Sequence, residues 1–470
     1  MKRTLRSLAL FATVAALGAG AAVVRGDDPP TRHVAVTVYN DDLGLVRDER
    51  RIDLAAGVFT LPFRDVAARI DPTSVAFRAL DHAGSVDVLE QNYEYDLLTP
   101  QALMEKYVGE TVTLIMSVDG KETAVAAKLL SVQNGTVYQI GDSIVLNPPG
   151  RVVLPDLKGD LKATPTLVWT LASDRAGDEP VEVSYLTGGL SWKADYVATL
   201  AEDDRTMEWG GWVTLNNQSG TTYPNAKLKL VAGDVHRAPR EEREFARRAL
   251  AEAAMAADAA TFEERTFFEY HLYDLPRPTT IKHNQTKQIR LMETSRIGTR
   301  KRYVLAGSRW YWTQAYGGEK GLKVGVYQEF ENTRENGLGA ALPAGTVRIY
   351  KADADGTLQL VGEDAIDHTP KDETVRLQLG KAFDLVAERR QTDFRVISSG
   401  HLWEAAFEVV IRNHKDEDVT VRVIEPLPGD WRVLEKSHAY EKLDAFTVAF
   451  DVRVEAGGEA TLTYRMQVKH

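Results

Sequence analysis

Apolar and polar residues alternate in short runs through most of this chain, the period-two signature of strands with one buried face. Over residues 34–97 the runs are separated by turns at Asn40-Asp41-Asp42, Ala56-Gly57 and Asp81-His82-Ala83-Gly84, which predicts antiparallel β structure. At Thr99 the period changes. Thr99 offers a cap, Pro100 suits the first helical position, and Leu103, Met104 and Tyr107 form a short apolar face before Gly109, so a helix of about two turns is expected. Val112, Leu114, Met116 and Val118 then point one way, and Thr111, Thr113 and Ser117 the other. Asp119-Gly120 and Asn134-Gly135 are hairpin signals. With the runs 124–132, 137–140, 144–146 and 152–154 they give five short strands behind a helix, the order of an SH3-like small barrel, over residues 98–156.

Strand pattern returns over residues 166–236, with spacing that suits a sandwich. Residues 239–262 break it: Pro239 opens a Glu-, Arg- and Ala-rich stretch whose large apolar residues, Phe245, Leu250, Met255 and Phe262, do not recur every 3.6 positions. A solvated helical insertion or a partly disordered one is expected. The runs 267–275, 279–292 and 299–305 resume strand character, with Pro276 and Pro278 restricting the first to an edge or its end. Near the C-terminus Phe407, Val409 and Ile411 alternate with polar residues, as do Val419, Val421 and Val423. Phe446, Val448, Phe450, Val452 and Val454 follow the same pattern, then Leu462, Tyr464, Met466 and Val468. The fold expected is mainly β: antiparallel sandwiches with a small SH3-like barrel and a short helical insertion. The divisions expected are 31–97, 98–156, 157–390 and an immunoglobulin-like sandwich over 391–470.

The N-terminus adds a compartment. Lys2, Arg3 and Arg6 precede an uncharged apolar stretch from Leu8 to Val24, and Ala19-Gly20-Ala21 suits a signal peptidase. Residues 1–26 therefore read as a secretory signal with a linker, for a secreted or periplasmic product. The alternative is an uncleaved N-terminal anchor, because the stretch is close to the roughly 17-residue lower limit for spanning a bilayer. No second apolar run follows, so no transmembrane segment is expected in the mature chain. The 470 residues contain no cysteine and carry a net charge of −11. Without thiols there is no lipobox, no disulfide and no Cys-based zinc site. The acidic balance, with no Lys/Arg block, argues against nucleic acid as a partner.

Three stretches stand out: Tyr185-Leu186-Thr187-Gly188-Gly189-Leu190-Ser191-Trp192-Lys193-Ala194-Asp195-Tyr196, Leu215-Asn216-Asn217-Gln218-Ser219-Gly220 with Leu230-Val231-Ala232-Gly233-Asp234-Val235, and Asn336-Gly337-Leu338-Gly339 leading to Pro343-Ala344-Gly345-Thr346-Val347. They resemble the bacterial DUF4139 family, whose domain has no established function. Arg412-Asn413-His414-Lys415 and Glu425-Pro426-Leu427-Pro428-Gly429-Asp430-Trp431 look like the C-terminal part of the same family. The resemblance implies a secreted or periplasmic β protein and supplies no catalytic residue.

Signatures of chemistry are sparse. The ten histidines stand singly, without metal-ligand spacing. Asp353, Asp355 and Gly356 suggest part of a calcium loop, but Lys351 and Gly362 occupy positions where acids belong, so a hairpin turn is expected. No nucleophile elbow or phosphate-cradling glycine loop is present. Neither a metal nor a cofactor is called for. Asp195 beside Trp192 and Tyr196 is the most suggestive group, because sugars stack on aromatic faces while acids accept their hydroxyl protons. Tyr93, Tyr95, Trp310 and Trp312 are further candidate ligand contacts, although alternation on a strand would equally place Trp310 and Trp312 together in a core. The function expected is a non-catalytic envelope or extracellular interaction protein, with another envelope protein or a surface glycan as partner. The alternatives are a carbohydrate-active or other hydrolase using paired carboxylates, and a structural subunit that assembles through strand edges.

Overall fold

The computed structural model describes residues 32–94, 99–118, 121–156, 162, 164–233 and 262–469. The expected signal, residues 1–26, the turn Asp119-Gly120 and all of the 239–262 insertion but its last residue lie outside them. That residue, Phe262, is buried.

The chain is mainly β, and its sheets gather around three cores. The largest core draws on residues from Val34 to Leu377. Around it lies an eight-stranded sheet in which His33–Tyr39 sits between Gly44–Leu54 and Tyr223–Ala232, with Gly177–Thr187 and Ala76–Ala79 beyond on one side. A three-stranded sheet, Gly57–Arg64, Thr166–Ser173 and Val86–Glu94, contributes Phe63 and Trp169 to the same core. So does a five-stranded sheet ordered Gln285–Gly298, Thr206–Asn217, Leu190–Leu200, Gly345–Ala352 and Leu358–Ile366. The N-terminal strands and the central ones are thus one packing unit. Not every pairing is antiparallel: His33–Tyr39 runs parallel to Tyr223–Ala232, and Leu190–Leu200 to Gly345–Ala352. Each of these pairs joins distant stretches of chain, as parallel pairing requires.

The unit over residues 99–156 has its own core of Tyr107, Val112, Leu114, Ala127, Leu129 and Tyr138. Helix Pro100–Lys106 starts where the sequence places it, with the Thr99 hydroxyl accepting from the Ala102 N–H at 3.0 Å. Its five strands follow in the expected sequence. Their hydrogen-bonded path is open, ending at Arg151–Val153 and Ser143–Leu146. Asn134 and Gly135 both have positive φ, the geometry that suits a two-residue hairpin and the reason Asn-Gly signals one.

The third core lies inside a nine-stranded sheet that includes Arg300–Ala306, Glu319–Glu331, Thr374–Ser398, Leu402–Asn413, Val419–Pro426, Thr447–Val454 and Glu459–Lys469. The sheet doubles over on itself, so that Phe450 and Tyr464 stack across the interior at 5.1 Å. The alternating residues read from the sequence face inward and are buried, except Phe446, which precedes Thr447–Val454 in a turn and is exposed. Each such side chain contributes about 1.5–3 kcal/mol on burial, and several dozen of them hold the fold without a thiol crosslink. The 25-residue strand Thr374–Ser398 links two cores: Val375 and Leu377 belong to the first, Leu385 and Ala387 to the third. Residue 390 falls within this strand.

The run expected over 267–275 is two strands, Glu263–Phe267 and Tyr270–Asp274, because Phe268 adopts a positive φ and turns the chain.

Candidate functional site

Strand alternation separates the trio that sequence placed together. On Leu190–Leu200, Trp192 and Tyr196 face the large core, where the Trp192 Nε1–H donates to the Val231 carbonyl and the Tyr196 hydroxyl to the Pro343 carbonyl at 2.8 Å. Asp195 projects from the opposite face. There it accepts from the Thr214 hydroxyl at 2.6 Å and lies 3.4 Å from Lys193 and 3.7 Å from Arg348. An acid beside aromatic faces, as a sugar site needs, is not what these three residues form. The Tyr93 hydroxyl donates to the Ala68 carbonyl at 2.9 Å, and burial pushes its phenol pKa up to about 12. Tyr95 lies outside the described residues. Asp353 and Asp355 form a hairpin turn, in which the Asp355 N–H donates to the Asp353 carboxylate at 3.0 Å. Among the described residues, no group of three or more His, Asp or Glu could hold a metal.

Trp310 and Trp312 differ from expectation because they sit in a 3-10 turn, Arg309–Trp312, and not on a strand. With three residues per turn, positions two apart point in different directions. Trp312 is wholly buried against Phe407 at 4.9 Å, whereas Trp310 is 43 % exposed. The exposed indole meets Tyr311 and Tyr316 edge-on at 4.5 and 5.0 Å, and those two tyrosines stack at 4.7 Å. Gln391 fixes this loop from beneath: its amide donates to the Tyr311 carbonyl at 3.0 Å and accepts from the Tyr316 N–H at 2.7 Å.

Under the aromatic cap lies the most deeply buried charge pair of the chain's described part. Arg389 donates to Glu425 at 2.6 and 3.3 Å, both side chains are fully inaccessible, and the Tyr464 hydroxyl donates to Glu425 at 2.9 Å. The Arg389 guanidinium stacks 4.8 Å from the Tyr311 ring centre. Burial pushes the Glu425 carboxyl above the ordinary range, against the pull of Arg389 and Tyr464. Gly307 has no room for a side chain, because a Cβ there would stand 2.1 Å from the Glu425 carboxylate. Sequence reasoning passed over this pair, although its signal was present. Extending the inward register Val419, Val421, Val423 by one step reaches Glu425, and extending Leu385, Ala387 reaches Arg389. Two opposite charges at inward positions of separate strands mark a buried pair.

A second cluster is more exposed. Glu329 accepts from the Nε–H of Arg376 at 2.7 Å and from those of Arg300 and Arg302 at 3.2 Å. Burial raises its carboxyl pKa, but Arg376 and Arg302 more than offset that and hold it below the ordinary range. A carboxyl held low in the folded state contributes stability that is present above its unfolded pKa and lost as pH falls through the folded value. Glu329→Gln is therefore expected to lower unfolding stability by about 1–2 kcal/mol at neutral pH. The gap to the wild type closes as pH drops below the glutamate range. Urea denaturation across pH checks this, and a gap that is constant with pH refutes it.

Comparison with known proteins agrees with the motif resemblance. A family model described as a domain of unknown function, DUF4139, matches residues 181–470. No curated protein matches the chain. The match begins inside strand Gly177–Thr187, whose two neighbours, Gly44–Leu54 and Ala76–Ala79, lie before it. The matched region therefore completes its first sheet with strands from outside the match.

Proposed function

The chain belongs to the DUF4139 family, and from that premise we propose that it is an exported, non-catalytic β-sandwich protein of the envelope or extracellular space that acts by binding. Its partner is another envelope protein or a surface glycan. Export is supported by the basic residues and apolar stretch at the N-terminus. No described helix is long and apolar enough to cross a membrane. The non-catalytic reading is supported by the use of the family stretches as structure: Trp192, Asp195 and Tyr196 are engaged in packing and hydrogen bonds, as set out above.

The observation that carries the binding reading is Trp310. Its ring is exposed on a loop pinned by Gln391 and seated on a buried ion pair, so it is held rigid and loses little freedom on binding. Rigid exposed indoles are the side chains that most often dominate interfaces. Trp310→Ala is expected to unfold within about 1 kcal/mol of the wild type. Its capture of an envelope partner is expected to weaken by at least roughly tenfold. Affinity capture from an envelope fraction, with wild type and variant side by side, tests this. Reproducible recovery of no protein or glycan by the wild type, or identical recovery by the variant, refutes the reading.

A further inference from the structure

The chain passes from the five-stranded sheet into the nine-stranded one at Thr299, between Gln285–Gly298 and Arg300–Ala306. Beside that passage the turn holding Asp204, itself at positive φ, is clamped from several strands. Lys301 and Lys351 each donate to a different oxygen of the Asp204 carboxylate, at 2.6 and 2.5 Å. Lys351 also donates to the Glu202 carbonyl, and the Gln328 amide donates to the Asp204 carbonyl, both at 2.8 Å. The clamp borders an open groove of about 270 Å³ lined by Asp204, Lys301, Lys351 and Lys381, with Gln328 behind them. Leu200 and Leu379 supply apolar wall.

Three ammonium groups face one carboxylate here, an excess of two positive charges inside a chain whose net charge is −11. Holding two ammoniums on the two oxygens of Asp204 fixes their separation, and each ammonium has three donors, more than one carboxylate can take up. Lys381 makes no ion pair among the described residues, and its exposed side chain sits at the rim. The wholly buried Gln328 amide is committed through its Nε2 to the Asp204 carbonyl and holds the turn in place. Cavities at the junction of two packing units, with mostly apolar walls and a few convergent polar groups, are where small ligands bind.

We infer that this junction binds a small organic anion, a carboxylate or phosphate head with an apolar body. The site is separate from Trp310, and either can fail without the other.

Calorimetric titration of the full chain with hexanoate, hexyl phosphate and hexanamide tests the inference. The anions are expected to bind at least roughly tenfold more tightly than the neutral amide of similar length. Lys381→Glu, a change at an exposed position that leaves the fold intact, is expected to weaken the anions by roughly tenfold or more and to leave hexanamide unchanged. Lys320→Glu, at an exposed lysine that pairs with Glu388, serves as the charge control and is expected to bind like the wild type. A peptide with a free terminal carboxylate, compared with its amidated form, separates two sources of the same chemistry. A carboxylate peptide tighter than hexanoate assigns a polypeptide terminus, and a weaker one assigns a small metabolite. Absence of any anion preference, or a Lys381→Glu variant that binds as the wild type does, overturns the site.

Discussion

Arg389→Met is expected to cost about 3–5 kcal/mol of unfolding stability, because it leaves the Glu425 carboxylate buried without its cation. Glu425→Gln is expected to cost a similar amount for the converse reason. The double variant Arg389→Met/Glu425→Leu is expected to lose less than either single change. With both charges gone, the desolvation that the pair has to overcome disappears, and what remains is the fit of the replacement side chains and the loss of the Tyr464 hydrogen bond. The sign of the pH dependence follows from Glu425. Its folded pKa already lies above the ordinary range, and without Arg389 it rises further. A carboxyl raised in the folded state stabilises below its unfolded pKa and ceases to do so as pH rises through the folded value. Acidification should therefore narrow the gap between Arg389→Met and the wild type. Guanidinium denaturation of the two singles and the double gives the coupling energy directly. Strictly additive losses would mean that the two charges do not act as a pair. Because Arg389 also lies beneath Tyr311, the single variant is expected to loosen the Trp310 loop and raise its indole's exposure to a fluorescence quencher.

Legibility from sequence followed the range over which the determining interaction acts. Local signals were readable: the Thr99 cap with Pro100, the Asn134-Gly135 hairpin, and the inward Val448, Phe450, Val452 and Val454 all follow from neighbours a few positions apart. Pairings set by the whole fold were not. Nothing in the alternation of residues 34–38 shows that Val36 stands opposite Leu228 in a parallel register, since the apolar face would be satisfied by any complementary strand. The grouping of the candidate residues departed from the sequence reading by a related route. An acid next to two aromatics in sequence suggests a cluster, but on a strand adjacency in sequence means opposite faces, which is how Asp195 came to be parted from Trp192 and Tyr196. Trp310 and Trp312 erred the other way, because a short 3-10 turn replaced the strand. The lysine crevice assembles Asp204, Lys301, Lys351 and Lys381 from separate elements, so no local window contains it.

Gly189→Ala is expected to be the most damaging single-methyl change in the Tyr185 to Tyr196 stretch, and two other glycines show why. Gly189 has φ +81° and links Gly177–Thr187 of the eight-stranded sheet to Leu190–Leu200 of the five-stranded one. Its N–H donates to Asp42 at 2.7 Å and its carbonyl accepts from Gln218 at 2.6 Å, so the turn has little room to move. A Cβ there would lie 2.6 Å from the backbone of Gln218 and Ser219. Gly57 has nearly the same φ, +85°, with nothing within 4 Å of a Cβ. Gly57→Ala thus isolates the left-handed backbone cost, about 1–2 kcal/mol. Gly345 is the opposite case, with no left-handed backbone but a Cβ that would stand 2.2 Å from the Ala194 carbonyl oxygen across the parallel pairing. Gly345→Ala isolates the steric cost. Gly189→Ala carries both and is expected to lose about 3–5 kcal/mol, the range of severe backbone and packing lesions. Denaturation midpoints for the three variants decide the matter. If Gly189→Ala costs no more than Gly57→Ala, the sheet-to-sheet turn relaxes freely, and close packing at that crossing is not what the Gly188-Gly189 pair provides.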